Sequence, residues 1–276
     1  MPAAQAGDEG SVHQARVASR RLREALPVLG AAGDADAVSR ASRRVRRITR
    51  ALGPVRELDV TLALIAELSA AGTVPARALS RVKAAVTAER QARRGKMLEE
   101  VTPLRLESLR KRLAQAAIPA DPATTPAADE LAQAIQRAGA RARRLRSAIT
   151  KADGLYVADR LHRVRVAAKK LRYALELQKE LTRSGSGAGI RRVKAQQDLL
   201  GRMHDLESLI DSARGVQDGL AGSDRQGAME LDVLIHALED ECRERHGTYI
   251  RARPALLKLC DLVADAAAER RPTAVA

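Results

Sequence analysis

The sequence predicts an all-α protein, and its composition is the first reason. Among 276 residues there are three Tyr but no Phe and no Trp, although 45% of the residues are hydrophobic, so a core must consist of Leu, Val, Ile and Ala. Ala- and Leu-rich sequences of this kind favour closely packed helices. The second reason is that no segment alternates apolar and polar residues as a half-buried strand does. The third is a basic segment with helical periodicity that occurs twice.

Hydrophobic periodicity and turn residues place the predicted helices in two groups. The first group covers 10–29, 37–51, 55–71, 75–101 and 103–116, and the second covers 127–150, 155–182, 189–200, 204–221, 225–252 and 254–270. The segment 117–126, AIPADPATTP, contains three prolines and is the predicted linker. We therefore expect a first half, 1–116, and a second half, 127–276, that together form one domain.

The repeated basic segment reads VHQARVASRRLREAL at 12–26 and LHRVRVAAKKLRYAL at 161–175. At an offset of 149 the residues that recur unchanged are His13, Arg16, Val17, Ala18, Leu22, Arg23, Ala25 and Leu26, as His162, Arg165, Val166, Ala167, Leu171, Arg172, Ala174 and Leu175. Arg20 and Arg21 are replaced by Lys169 and Lys170, which keeps the charge. An internal repeat indicates that the chain uses one structural unit twice.

In both copies the cations share one helical face. At about 100° per residue, His13, Arg16, Arg20 and Arg23 fall within roughly 80° of one another, and His162, Arg165, Lys169 and Arg172 repeat this stripe. Arg21 and Lys170 lie at its edge, and Ala15, Ala18, Leu22, Ala25, Leu26 and Leu29 are expected to face the core. Solvated helix faces usually mix charge signs, because like charges four residues apart are destabilising. A partner anion therefore explains the stripes better than a solvated face does.

A second basic segment follows each copy. It contains Arg43, Arg46, Arg47 and Arg50 in the first half, and Arg191, Arg192 and Lys194 in the second. Leu52-Gly53 then aligns with Leu200-Gly201 at an offset of 148. We interpret Gly53 as the end of one helix and Pro54 as the start of the next. The carboxylates of Glu57 and Asp59 would then interact favourably with the positive N-terminal end of the second helix. A binding role for Arg56 stays open. Pro103 and Pro254 are expected to interrupt helices at comparable places.

The pattern His-x-x-Arg-Val-Ala-x-(Arg/Lys)-(Arg/Lys)-Leu-Arg, followed by Leu-Gly-x-x-(Arg/His)-(Asp/Glu)-Leu, resembles the CHAD domain, the conserved histidine α-helical domain, over about residues 8 to 270. The resemblance implies two bundles of about four to five helices each, related by a pseudo-twofold axis, and a basic central channel that binds inorganic polyphosphate. His204 stands where the family has Arg, and Glu57 where Asp is commoner. The candidate binding residues are His13, Arg16, Arg20, Arg21, Arg23, Arg43, Arg46, Arg47, Arg50, Arg56, His162, Arg165, Lys169, Lys170, Arg172, Arg191 and Lys194.

The charge balance also predicts a polyanionic partner. Lys and Arg total 49 against 34 Asp and Glu, a formal charge of +15. The scarcity of aromatics argues against readers of single-stranded nucleic acid that stack bases on aromatic side chains. A nucleic-acid-binding helical protein is the alternative, with its basic residues on an exposed convex face. Tethering of other proteins to polyphosphate granules is compatible with binding, and the sequence does not separate the two roles.

No enzyme or metal signature is found. There is no Walker P-loop, and His13 and His162 lack His or Cys partners at metal-ligand spacing, so we expect a binding protein without metal or cofactor. Asp59, Asp205 and Glu207 could serve as metal ligands, but helix capping explains them. The roles of His204, His236 and His246 stay open, with surface or packing positions expected for the last two.

The expected location is the cytoplasm, at polyphosphate granules if the tethering role holds. Cys242 and Cys260 lie 18 residues apart without paired-cysteine spacing, which favours reduced thiols. The sequence contains no stretch of about 18 apolar residues, so no membrane span is predicted.

Overall fold

A computed structural model describes residues 9–29, 34–116, 126–182, 187–220, 222 and 224–270. Within these residues the chain forms eight helices and no strand, which confirms the all-α prediction. The helices are α1 (Glu9–Leu29), α2 (Ala35–Ala71), α3 (Ala76–Glu100), α4 (Pro103–Ala116), α5 (Pro126–Ala152), α6 (Ala158–Thr182), α7 (Gly187–Gly219) and α8 (Arg225–Glu269). None of the described helices is long and apolar enough to cross a membrane.

Three predicted helix breaks are wrong. Helix α2 continues through Gly53 and Pro54, α7 through Gly201, and α8 through Pro254. A proline inside a helix costs about 3 kcal/mol, since it removes one hydrogen bond and crowds the preceding turn. Pro54 is exposed but lies between the fully buried Leu52 and Val55, so packing on both sides of the proline holds the helix together. The carboxylates expected to cap helix starts consequently do not do so, namely Glu57, Asp59, Asp205 and Glu207. Pro254 is not a counterpart of Pro103.

Other boundaries agree with the sequence. Pro103 opens α4, a position where its missing N–H costs nothing because the first helical N–H groups have no intrahelical partner. Helix α5 begins at Pro126, the last residue of the predicted linker, and residues 117–125 of that linker lie outside the described part of the chain.

The chain divides into two compact units, and each combines segments from both sides of 117–126. Unit 1 comprises Met1–Arg16, Arg50–Thr102 and Gly201–Thr248. Unit 2 comprises Val17–Thr49, Pro103–Leu200 and Tyr249–Ala276. The halves 1–116 and 127–276 therefore stay a prediction about the repeat, as do the two pseudo-twofold-related bundles and their channel.

The core of unit 1 is aliphatic, as the composition requires. Residues of α2, α3, α7 and α8 form one buried cluster, in which Ile65, Leu79, Leu206 and Leu234 are at most 1% exposed. Cys242 belongs to this cluster as a free thiol. Small and branched side chains fill the space between these helices without any aromatic ring from Phe or Trp.

Unit 2 contains a small cluster of α1, α2 and α4 and an extensive contact between α5 and α6. Leu26, Val45 and Ala116 are buried in the small cluster. Helix α5 also approaches α8 closely, because a Cβ placed on Gly139 would collide with the Cβ of Ala267. Only glycine fits at this crossing unless the helices separate.

The buried face of α1 differs from the predicted one. Ala15 and Leu26 are buried, but Ala18 is exposed, whereas Ser19 is buried. The side chain of Leu29 lies outside the described part of the chain. The buried face is thus rotated from the predicted apolar side toward the cations. This rotation explains why Arg20 and Arg23 are half-buried rather than fully exposed.

Candidate anion-binding site

The excess positive charge of the protein belongs to unit 2. Unit 1 contains 15 Lys and Arg against 19 Asp and Glu, a formal charge of −4. Unit 2 contains 34 Lys and Arg against 15 Asp and Glu, a formal charge of +19. A site for a polyanion is therefore to be sought in unit 2 before unit 1.

In unit 1, several arginines form ion pairs with carboxylates. Arg90 Nε lies 2.6 Å from Asp59 Oδ1, and the Asp59 side chain is only 1% exposed. Arg202 lies between two carboxylates, 2.8 Å from Glu67 Oε1 and 3.1 Å from Glu241 Oε1. Burial lowers the pKa of Arg202, but its hydrogen bonds to Glu67 and Glu241 outweigh this and raise the pKa overall. These arginines hold the helices of unit 1 together.

Arg16, a member of the first stripe, is also paired in unit 1. Its Nη2 atom donates a hydrogen bond of 3.1 Å to Glu57 Oε1, and its side chain is 14% exposed. A Cβ placed on Gly53 would lie 2.6 Å from Arg16 Nη1. Gly53 therefore lies where a guanidinium approaches α2 closely, and it does not end a helix as the sequence suggested.

In unit 2, the two copies of the repeat line one cleft. This first cleft is lined by Arg20, Arg23 and Glu24 of α1 and by Val166, Lys169, Lys170 and Tyr173 of α6. Arg20 and Lys169 occupy equivalent repeat positions, and so do Glu24 and Tyr173. The structure therefore brings together part of both predicted stripes, one on each side of the cleft.

A second cleft adjoins the first. It is lined by Arg141 and Arg144 of α5 and by His162, Arg163, Val166, Ala167 and Lys170 of α6. Val166 and Lys170 line both clefts, so the cations of the first cleft are joined by Arg141, Arg144 and His162 of the second. Such a row of positive side chains suits an extended anion better than a single compact one.

The electrostatics of the clefts show positive charge that is incompletely neutralised. The pKa of Arg23 is lowered by burial and then by Arg46, with Glu24 opposing. The pKa of Lys170 is lowered by burial and then by Arg141 and Arg23. Among the described residues, no carboxylate lies within ion-pair distance of Arg20, Arg23 or Lys170. An anion that entered the clefts would relieve this repulsion.

Among the described residues, Glu24 is the one carboxylate that lines the first cleft, and it forms ion pairs with two arginines of α5. Its side chain is 7% exposed; Oε2 lies 2.8 Å from Arg137 Nε, and Oε1 lies 2.8 Å from Arg141 Nη2. The sequence interpretation missed Arg137, Arg141 and Arg144. Their spacing of four and three residues places them on one helical face, a signal that could have found them.

The other predicted binding residues are more dispersed. His13, Arg50 and Arg56 belong to unit 1 with Arg16, and the others belong to unit 2. Several members of unit 2 have partners of their own. Among these, Arg172 Nη1 lies 3.0 Å from Glu176 Oε1 and its guanidinium 4.6 Å from the Tyr173 ring. Lys194 Nζ lies 2.7 Å from Asp198 Oδ2, and Arg43 donates a hydrogen bond to Ser39. The exposed candidates that line neither cleft are His13, Arg21, Arg43, Arg46, Arg47, Arg50, Arg191 and Lys194, while Arg56 and Arg165 are half-buried.

The remaining histidines have separate environments. His236 is exposed, and its ring nitrogen lies 2.8 Å from the carbonyl oxygen of Asp232, which raises its pKa. Burial lowers the pKa of His246. His204 Nδ1 lies 4.0 Å from Glu207 Oε2. Among the described residues, no three His, Cys, Asp or Glu side chains come together as a metal would require.

Comparison with known proteins decides the family. The family model described as the CHAD domain matches residues 2–214. The chain belongs to the CHAD family. The match covers both stripes and both clefts, and CHAD domains are associated with polyphosphate binding in general.

A solved CHAD structure has the same fold. The crystal structure of the CHAD domain from the plant Ricinus communis is 26% identical to this chain, with a TM-score of 0.57, and the alignment covers 90% of this chain and 82% of that one. No curated protein matches the sequence. The structural similarity extends well beyond the residues matched by the CHAD family model, since those end at residue 214.

Proposed function

We propose that this CHAD protein binds inorganic polyphosphate in the two clefts of unit 2. The observation that carries the proposal is the first cleft, where Arg20 and its repeat equivalent Lys169 line one space and no carboxylate pairs with Arg20 among the described residues. The second cleft extends the row through Arg141 and Arg144 to His162. A linear chain of phosphates can contact successive cations along this row.

The residue types fit this ligand. The planar guanidinium of Arg donates two parallel hydrogen bonds to phosphate oxygens and stays charged, while Lys170 acts as a point charge. His162 is exposed at the mouth of the second cleft and can donate a hydrogen bond from its ring. Because the ligand has no sequence to be read, spacing of charge is the only requirement on the protein.

We propose binding without catalysis. The carboxylate of the first cleft, Glu24, is hydrogen-bonded to Arg137 and Arg141, which leaves it poorly placed to hold a metal ion. A phosphoryl-transfer site needs carboxylates available to metal ions beside the phosphates. Incubation with polyphosphate and Mg²⁺, followed by assay of released phosphate, should give no more than the rate without protein.

Competition between anions tests the proposal. Fluorescently labelled long-chain polyphosphate should bind, and unlabelled polyphosphate should displace it at lower phosphate concentration than duplex DNA or RNA does. With about six contacts at roughly 0.7 per contact, the plot of log affinity against log salt should have a slope near −4. Stronger displacement by a nucleic acid would support the nucleic-acid alternative instead, and a slope near zero would exclude electrostatic binding.

Thermal stability distinguishes a polymer site from a site for single phosphates. A ligand that binds only the folded state at a hundredfold excess over its Kd stabilises by about 2.7 kcal/mol. At about 2–4 °C per kcal/mol this raises the Tm by several degrees. Orthophosphate at equal phosphate content should raise it much less, because one polymer contacts many cations at once. Equal shifts would mean that phosphates bind singly.

Binding of the polymer would also determine where the protein resides. We propose that it associates with polyphosphate granules, and a fluorescent fusion should co-localise with them. The association should be lost when the charges of Arg20 and Lys169 are reversed, as it depends on the first cleft. Granule association that survives this reversal would indicate recruitment by another protein.

A further inference from the structure

Lys170 has an unusual position because it lines both clefts. It is half-buried on α6, and among the described residues it has no hydrogen-bond or ion-pair partner. The first copy of the repeat has Arg21 at the equivalent position, and Arg21 is exposed and lines neither cleft. A primary amine is therefore present at the junction of two anion-binding clefts in one copy of the repeat only.

The surroundings of this amine make its neutral, nucleophilic form easier to reach than at an exposed lysine. Burial lowers the pKa of Lys170, and the guanidinium groups of Arg141, Arg23 and Arg144 lower it further against the opposing effect of Glu24. Both effects, nearby cations and partial removal from water, are known to activate a lysine as a nucleophile. The same cations that disfavour the ammonium also attract phosphate, so an activated amine and a phosphate site coincide.

We propose that Lys170 is a modification site for acyl phosphates, which dock their phosphate group on the cations of the clefts and transfer their acyl group to Nζ. The lone pair of Nζ forms a bond to the acyl carbon, and the bond between that carbon and the bridging phosphate oxygen breaks. The phosphate leaves with the electron pair, and the amine proton passes to solvent or to the departing phosphate. The cations stabilise the leaving group, which is why an anionic acyl donor is preferred.

Acylation would weaken the binding of polyphosphate. An amide at Nζ carries no charge, so one of the cations shared by the two clefts is lost. Arginine cannot undergo this reaction, because its guanidinium stays protonated. The proposal depends on the anion-binding clefts of the proposed function and adds a chemical means of regulating them.

Acetyl phosphate is the probe, and site-resolved mass spectrometry is the measurement. Lys170 should be acetylated roughly tenfold faster than the exposed Lys111 and Lys258, which line neither cleft. With the uncharged donor N-acetoxysuccinimide this preference should shrink, because no phosphate docks. Polyphosphate added first should protect Lys170 and leave Lys111 and Lys258 unaffected.

The matched variants are R20Q/R23Q and K170R. R20Q/R23Q removes two docking cations and should reduce the preference for Lys170 with acetyl phosphate. After acetyl phosphate treatment the wild-type protein should bind polyphosphate several-fold more weakly, whereas K170R should keep the affinity it had before treatment. Circular dichroism confirms that each variant is folded.

The outcomes separate this inference from the proposed function. Equal acetylation of Lys170, Lys111 and Lys258 would overturn the inference, and so would an equal preference for Lys170 with both donors, because that would show reactivity without docking. If polyphosphate binds but Lys170 is not preferred, only the inference fails. If Lys170 is preferred but polyphosphate neither binds nor protects it, acyl transfer to Lys170 stands, whereas the proposed function fails and with it the regulation of polyphosphate binding.

Discussion

Unit 1 and the first cleft of unit 2 differ in what their cations contact. In unit 1, Arg16, Arg90 and Arg202 lie against carboxylates, and the unit as a whole has a formal charge of −4. In unit 2, which has a formal charge of +19, Arg20 and Arg23 line a cleft, and no carboxylate in the described part of the chain lies within ion-pair distance of either. The number of cations near a surface is therefore a poor guide to a binding site. The useful quantity is the number of cations that no carboxylate neutralises.

The difference has opposite consequences for stability. A paired and buried arginine stabilises the native state relative to a state in which one partner is missing. Cations that repel one another destabilise it until an anion binds. Substitutions in unit 1 should therefore change stability, and substitutions at the clefts of unit 2 should change affinity.

The largest expected effect is on affinity. Reversing the charges of Arg20 and Lys169 together should weaken polyphosphate binding about 1,000-fold, because two charge-assisted contacts of about 2 kcal/mol each are lost. The matched control is the K83E/K96E variant, which changes two exposed lysines of unit 1 by the same total charge. Titration of labelled polyphosphate at fixed salt measures both. Equal losses would show that only net charge matters and would remove the distinction between the units.

The next effect is on stability in unit 1. Replacing Asp59 by Ala leaves Arg90 in a largely buried position without its carboxylate, which should cost about 3 kcal/mol and lower the Tm by roughly 6–12 °C. Replacing Glu89 by Ala breaks an exposed pair with Arg93 in the same unit and should cost at most about 1 kcal/mol. Thermal unfolding measures the two. A large drop in polyphosphate affinity of the folded D59A protein would contradict the assignment of binding to unit 2.

A smaller effect combines both consequences at one residue. The E24Q variant removes the charge that offsets Arg137 and Arg141, so the free energy of unfolding should fall by roughly 1–3 kcal/mol. The same change leaves the first cleft more positive, so polyphosphate should bind about threefold to tenfold more tightly. The control is E180Q, at an exposed glutamate of α6 that lines neither cleft. Weaker binding by E24Q would mean that the placement of Arg141 matters more than the charge of Glu24.

The smallest effect is a dependence on pH. Bound phosphate favours the ammonium form of Lys170, so affinity is full below the pKa of this residue in the empty protein and is lost as the pH rises through it. Because that pKa is lowered from its ordinary value of 10.5, the loss should begin below pH 10.5. It should be less than about tenfold, since one contact is affected. The K170R variant should show a flatter profile when the Kd is measured at constant ionic strength.

Composition and local periodicity were sufficient to predict the class of the fold and part of the candidate site. The 3.6-residue period of the stripes placed Arg20 and Lys169 on cationic helix faces, and both line the first cleft. Whether the two stripes share a channel, as the resemblance implies, stays a prediction. Burial of α1 was predicted less well, because the period alone does not show which residues a neighbouring helix covers. Ala18 is exposed and Ser19 is buried for this reason.

The missed features depend on contacts between distant parts of the sequence. Pro54 lies inside a helix because Leu52 and Val55 are buried on either side of it, and their burial is not visible in the local sequence. Likewise, Glu24 lies in a basic segment, where nothing in the sequence indicates that Arg137 and Arg141 approach it from another helix. Sequence patterns predict the face of each helix, whereas the pairing of those faces depends on packing of the whole unit.

The contrast between Glu24 and Tyr173 has a further consequence. These residues hold equivalent repeat positions on the first cleft, yet one is an acid and the other an aromatic residue, so the α1 side and the α6 side of the cleft are chemically different. The two ends of a nucleic acid strand differ, so an asymmetric cleft would bind the strand in one orientation only. The two ends of an inorganic polyphosphate chain are identical, so the chain has no direction. For such a polymer the two copies of the repeat are free to diverge in evolution at these positions, provided that the spacing of their cations is kept.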